Sequence, residues 1–250
     1  QTCALPISGG MDKVVQGRDM HTNWLQRAEN MLDALHVMVL HASIYPEMAM
    51  KRPERCDWIE TWYGVQMELD YPGGVRDKHH YFFPAGNRLE LARAGQVPHQ
   101  FIQWCTPRDD GSATIFQMLA SPAQDGKGKV TAAQYQKTEF GQYKRVKDGW
   151  WNIWERDQDD AILDSQGVVA NRTKEHLASC DAGIVRLRRM IKESIERVQR
   201  GEDPIGVVRK GDAHDGVIAL ESYKTLGLTA NEVRLPELGK ELEITAPYDL

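Results

Sequence analysis

Four strand-like runs crowded between two stretches of helical periodicity constrain this chain more than any other feature. Residues 58–71 and 75–83 are rich in aromatic and β-branched side chains and are separated by Pro72-Gly73-Gly74. Residues 99–106 and 112–119 flank Pro107-Arg108-Asp109-Asp110-Gly111, a strong turn composition. Connections this short join antiparallel neighbours, because a parallel pair needs a crossover of roughly a dozen residues. Before them, over about 23–45, Trp24, Leu25, Ala28, Leu32, Leu35, Val39 and Leu40 recur at spacings of three and four, which predicts a helix. After them, Asp181 as a cap and Ile184, Leu187, Ile191, Ile195 and Val198 predict another, stopped by Gly201 and Pro204. The expected fold is α+β, a curved antiparallel sheet covered by helices. Residues 121–131 read as a Gly/Lys-rich loop and 150–166 as a stretch mixing Trp with carboxylates. Residues 221–226 read as a short helix and the final twenty as extended or irregular.

Composition narrows the function. With 31 basic and 36 acidic side chains the net charge is −5, which excludes a basic nucleic-acid binder. A hydrophobic content of 41 % and seven Trp suffice for a real core. No apolar run approaches the roughly 20 residues that a membrane helix needs. Cys3, Cys56, Cys105 and Cys180 form no close pair and no Cys/His couplet, so no zinc ribbon or cysteine-ligated cluster is encoded. No secretory leader is recognisable, and a cytoplasmic location is the expectation. Residues 1–19 are expected to be an irregular end, artificial at Ala4-Leu5-Pro6-Ile7, which matches a translated sequencing adapter; 20–250 are expected to form the functional domain.

Asp33, His36 and His41 carry the chemistry. Asp33 and His36 share a helix face, whereas His41 lies roughly 140° further round an ideal helix. Both imidazoles reach one metal only if the helix ends or bulges between them. Read without a partner, they are hydrogen-bonded core residues, yet burying three ionisable groups among so many apolar neighbours is costly unless they are paired or metal-bound. Asp157, Asp159, Asp160 and Asp164 crowd together downstream and, on composition alone, read as a solvated acidic loop.

The string Asn23-Trp24-Leu25-Gln26, Glu29-Asn30, Asp33, His36, His41 resembles the catalytic-domain signature of the Rieske-type non-haem iron ring-hydroxylating oxygenase alpha subunits. Pro107 to Gly111 resembles that family's paired-aspartate turn. Gln166-Gly167-Val168-Val169-Ala170-Asn171-Arg172-Thr173-Lys174-Glu175-His176-Leu177 resembles a string of its phthalate-dioxygenase-like branch, with Asn171 where that branch usually has Asp. Ser179-Cys180-Asp181-Ala182-Gly183 and Gly201-Glu202-Asp203-Pro204 continue the match, so the resemblance covers roughly residues 20–210.

The resemblance implies a helix-grip fold and a mononuclear Fe(II) held by His36, His41 and a carboxylate, Asp159 by position, with Asp160 as fallback. It gives Asp33 the role of a carboxylate that hydrogen-bonds a ligand His and bridges to the cluster domain of a neighbouring subunit. It further implies a homotrimer, an aromatic or aryl-ether substrate, dioxygen, and electrons from NAD(P)H through a reductase or ferredoxin and a Rieske [2Fe-2S] cluster, whose Cys/His ligands are not among these residues. The rival expectation is a helix-grip module that binds an apolar ligand without redox chemistry. His79 and His80, His176 and His214 are expected to be structural.

Overall fold

The computed structural model describes residues 11–43, 52–72, 75–91, 99–123, 127–132, 135–137, 141–143, 155–209 and Ile218. The described residues open with strand β1 (Met11–Met20) and a pair of short helices, α1 (Trp24–Asn30) and α2 (His36–Leu40), the second running into a 3-10 turn, His41–Ser43. Strands β2 (Arg55–Thr61), β3 (Gly64–Tyr71), β4 (Val75–Phe82), β5 (Gly86–Leu91), β6 (His99–Asp109), β7 (Ser112–Pro122) and β8 (Val130–Ala132) follow. Two helices close the described chain, α3 (Glu155–Ser165) and α4 (Ala182–Gln199). Among the described residues the eight strands form one sheet in the order β2-β3-β4-β5-β6-β7-β1-β8.

The α+β expectation holds, with four differences. Met11–Met20 is not irregular: it pairs antiparallel with β7 from Met11↔Pro122 to Met20↔Ala113. The sheet is not wholly antiparallel, because β8 joins β1 in parallel. The run 58–71 is two strands, since the chain reverses at Trp62-Tyr63. Gly64 makes that reversal possible: its φ is +150°, and a Cβ there would sit 2.2 Å from the Tyr81 carbonyl oxygen. Finally, the expected helix over 23–45 breaks at residues 31–35. The expectations for residues 1–10, 214, 221–226 and the final twenty lie outside the described residues.

Helices α1 and α4 cover one face of the sheet. The core there joins Met20, Ala28, Leu32, Trp58, Val65, Met67, Leu69, Tyr81, Ile115, Leu187 and Met190. Helix α4 meets the sheet through Gly183, whose missing side chain admits the Trp58 indole. Trp58 Nε1 then donates to the Leu32 carbonyl oxygen at 3.1 Å. Leu32 lies in the α1–α2 break, so packing of α4 fixes where α2 and its histidines begin. The α4 stop is as expected, with Gly201 at φ +78° just past the helix end. Cys56, Cys105 and Cys180 are all free thiols.

Candidate metal centre

The polar residues of the first motif turn inward and tie α1 to three other segments. Asn23 Oδ1 accepts from Leu25 N–H and so caps α1, while its Nδ2 donates to the Asp110 carbonyl in the 110–111 turn. Gln26 Nε2 donates to the Leu163 and Gly167 carbonyls, and its Oε1 accepts from Ala170 N–H. Glu29 accepts from Arg172 at 2.6 Å and from Arg188 at 2.7 Å, and both guanidiniums also hold Glu175. These contacts lower the Glu175 carboxyl to about 2, the Arg188 hydrogen bonds being the largest cause. The two strings picked out in the sequence are thus halves of one clamp. Asn171, in place of the branch's Asp, still caps the 172–174 turn through Thr173 N–H.

Gln26, bonded to the Leu163 carbonyl, and Arg27, bonded to Asp159, set α3 against α1. The acidic cluster is not a solvated loop but part of helix α3: Gln158, Leu163 and Asp164 are buried, and Asp159 and Asp160 are each only 13 % exposed. Each inward carboxylate has its own partner. Asp164 accepts from Tyr143 Oη at 2.5 Å, Asp160 pairs with buried Arg18 of β1, and Asp159 Oδ2 accepts from Arg27 Nη1 at 2.9 Å. Asp160, the fallback ligand, is therefore directed at Arg18.

His36, His41 and Asp159 converge. Each offers one donor atom, and the three lie within 4.8 Å of one another. His41 Nε2 is 3.4 Å and His36 Nε2 3.8 Å from Asp159 Oδ1, with the rings edge-on at 72°. The α2 winding gives way to a 3-10 turn at His41, and this lets both rings face one point.

The opposite ring nitrogens settle the tautomers. His36 Nδ1 lies 2.6 Å from the Asp33 carbonyl oxygen, which can only accept, so Nδ1 carries the proton. His41 Nδ1–H donates to Gln158 Oε1 at 2.8 Å. Each Nε2 then turns a lone pair towards Asp159 Oδ1, which is buried and accepts no hydrogen bond from the described residues. Three lone pairs aimed at one point repel unless a cation lies between them. A cation roughly 2.1 Å from each donor separates neighbouring donors by roughly 3 to 3.5 Å, against 3.4 and 3.8 Å from the two Nε2 atoms to Asp159 Oδ1 here.

Electrostatics agree. Burial on its own raises the Asp159 carboxyl, but the Arg27 guanidinium beside it is the chief cause that reverses this and holds it well below the usual carboxylate range. Burial lowers the His36 imidazole, outweighing the opposing pull of Asp159. Asp159 is thus held as the anion, the form in which a carboxylate ligates a metal.

Comparisons with known proteins follow this geometry. Residues 134–240 match the family described as "LigXa C-terminal domain like". The chain is 33 % identical over 224 residues to the 5,5'-dehydrodivanillate O-demethylase oxygenase subunit of Sphingobium sp. (strain NBRC 103272 / SYK-6), covering 84 % of this chain and 51 % of that protein. It is 26 % identical over 221 residues to the phenoxybenzoate dioxygenase subunit alpha of Ectopseudomonas oleovorans, covering 80 % and 50 %. In sequence and in fold the chain is similar to the catalytic domains of oxygenase alpha subunits of this kind. It spans about half the length of these curated relatives. The solved structure of Pseudomonas putida CBB5 NdmA, as its QL mutant with theobromine, shares the fold at TM-score 0.54 and 16 % identity over 76 % of this chain and 52 % of that one.

Within this family frame one expectation needs correcting. The Asp33 carboxylate does not bond an imidazole: its Oδ1 accepts from the N–H groups of Leu35 and His36, capping the start of α2. The bond to the His36 ring comes from the Asp33 main-chain carbonyl. His79 donates to Asp77, and His80 Nδ1 lies 2.9 Å from Tyr63 Oη, so neither joins the centre. Sequence reasoning missed Gln158 and Arg27. Their signal was present, as polar residues on helix positions that turn inward beside the histidines and the acidic cluster.

Proposed function

We propose that His36 Nε2, His41 Nε2 and Asp159 Oδ1 hold a mononuclear Fe(II) and that residues 20–250 serve as the catalytic domain of an oxygenase acting on aromatic or aryl-ether substrates. The observation that carries this is the buried Asp159 Oδ1, without a hydrogen-bond donor among the described residues and flanked by two imidazole Nε2 atoms. Two imidazoles and one carboxylate on one side of a cation leave its other positions open, the donor set of Fe(II) oxygenases. The bound iron supplies dioxygen activation at those positions.

The protein's own residues have definite tasks. Gln158 and the Asp33 carbonyl hold the rings with Nε2 inward. Asp33 caps α2 and so sets the position of His36. Gln26, through the Leu163 carbonyl, and Arg27, through Asp159 Oδ2, keep α3 against α1, and the Glu29–Arg172–Arg188–Glu175 clamp ties α1 to the 172–175 segment and α4. The curated relatives are named for a phenoxybenzoate and for a dehydrodivanillate O-demethylation, which supports an aryl-ether or aromatic carboxylate substrate. By the same family reasoning, electrons arrive from NAD(P)H through a reductase or ferredoxin and a Rieske [2Fe-2S] cluster, in a cytoplasmic homotrimer. Among the described residues no helix is long and apolar enough to cross a membrane.

Anaerobic Fe(II) reconstitution tests the reading. The expected result is roughly one iron per chain, lost in His36→Ala and Asp159→Ala, as a three-ligand site requires. A chain that stays iron-free yet binds an apolar fluorescent probe favours the ligand-binding module instead.

A further inference from the structure

Arg27 stands directly behind the proposed iron carboxylate. Its side chain, in α1, is almost wholly buried, at 5 % exposure, where a guanidinium is costly unless hydrogen-bonded; its Nε has no hydrogen-bond partner among the described residues, and both Nη atoms are engaged. Its Nη1 donates to Asp159 Oδ2 at 2.9 Å and to Asn30 Oδ1 at 3.0 Å, and its Nη2 donates to Gln103 Oε1 at 3.2 Å. Gln103 Oε1 also accepts from Gln117 Nε2 at 2.9 Å, and Gln117 Oε1 accepts from Gln16 Nε2 at 2.9 Å. These three glutamines are directly opposite one another across β6, β7 and β1. A row of amides therefore crosses the inward sheet face and ends on the guanidinium.

We propose that Arg27, braced by the Gln103–Gln117–Gln16 row, is a positioning residue that confines Asp159 to one-oxygen ligation. The inference rests on the metal reading above and adds what controls the carboxylate. With Oδ2 engaged by a fixed guanidinium, only Oδ1 is presented towards the histidines. A carboxylate released from that grip can rotate to chelate with both oxygens, which closes a coordination position, or swing away from the metal. Arg27 thus keeps an extra position open, and its charge offsets that of Asp159 when no metal is bound.

The test uses the purified chain and Co(II) under anaerobic conditions, following affinity by titration and coordination by the visible d–d spectrum. Arg27→Met keeps the stem and removes the donors. The expected result is Co(II) affinity weakened roughly 10-fold or more, the usual scale for loss of a ligand's supporting partner, together with a changed d–d band. Arg27→Lys, which restores a single donor to Oδ2, recovers most of the wild-type spectrum. Gln103→Leu, which removes the brace alone, shifts spectrum and affinity the same way by less. Wild-type affinity and spectrum in a folded Arg27→Met overturn the inference. If Arg27→Met does not fold, wild-type Co(II) affinity and spectrum in a folded Gln103→Leu overturn it equally. A wild-type chain that takes up no Co(II) overturns the metal reading, and this inference with it.

Discussion

Replacing Gly183 by alanine sets two physical effects against each other. Helix propensity favours the change by up to about 1 kcal/mol, because glycine loses more backbone entropy on folding. Packing opposes it. An added Cβ would lie 2.2 Å from Trp58 Nε1, 2.4 Å from Cδ1 and 2.8 Å from Cε2, so it overlaps the body of the indole. The ring must move by about an ångström, at an overpacking cost of about 1–3 kcal/mol. Its hydrogen bond to the Leu32 carbonyl then breaks, which adds about 1 kcal/mol or more for a buried acceptor left unpaired. The balance is a loss of about 2 kcal/mol, or a fall in Tm of roughly 4–8 °C for a chain of this size. Because Leu32 lies in the α1–α2 break, the same change loosens the approach of His36 to Asp159. Urea unfolding with a fixed m-value measures the first effect and Co(II) titration the second. A Gly183→Ala chain as stable as the wild type, or more so, would refute the claim that this close approach positions α2.

Gln158→Leu removes the acceptor that orients His41, and Co(II) affinity is expected to fall roughly 10- to 100-fold; an unchanged titration counts against the tautomer argument. Glu29→Gln unpicks the clamp at a buried carboxylate, and because Arg172 and Arg188 are each about a third exposed and keep Glu175, the expected loss is about 2 kcal/mol in urea unfolding, with faster proteolysis within residues 166–178. Burial, then the Arg88 charge, lowers the His80 imidazole to about 3. Its unfolded value is about 6.5, so the unfolded chain binds the extra proton between those limits and stability falls as pH drops, by up to about 1.4 kcal/mol per unit. His80→Gln is expected to flatten that part of the pH profile of urea midpoints, and an equally steep profile in the variant contradicts the assignment.

Legibility followed local chemistry. Strands β6 and β7 were visible because an Asp-Asp-Gly turn separates two alternating runs, and α4 because its apolar spacing and Gly201 stop are conventional. The β2–β3 hairpin was hidden because its reversal at Trp62-Tyr63 uses strand-forming aromatics, with only Gly64 to mark it. Strand β1 escaped because its inward residues include Gln16 and Arg18, which pair with Gln117 and Asp160 instead of filling an apolar core. The inward face of α3 is acidic, which reverses the usual amphipathic signal and makes the segment look like a loop. The break at residues 31–35 has no Pro or Gly and depends on Trp58, 26 residues further along the chain.

The candidate site was legible to the same extent. Asp33, His36 and His41 stand out as ionisable residues in an apolar stretch, whereas only the family resemblance, and no periodicity, separated Asp159 from Asp157, Asp160 and Asp164. Which carboxylate faces the rings depends on Arg18 and Arg27 taking Asp160 and one oxygen of Asp159, and those are long-range pairings. The capping role of the Asp33 carboxylate likewise emerges only once the helix is broken.

The most direct measurement is an anomalous-difference map at the iron edge from crystals of the Fe(II)-loaded chain grown without oxygen. A single peak in bonding contact with His36 Nε2, His41 Nε2 and Asp159 Oδ1, absent from Asp159→Ala crystals, is the predicted result. Iron seated elsewhere, or no peak at those three atoms in a fully loaded crystal, would contradict it.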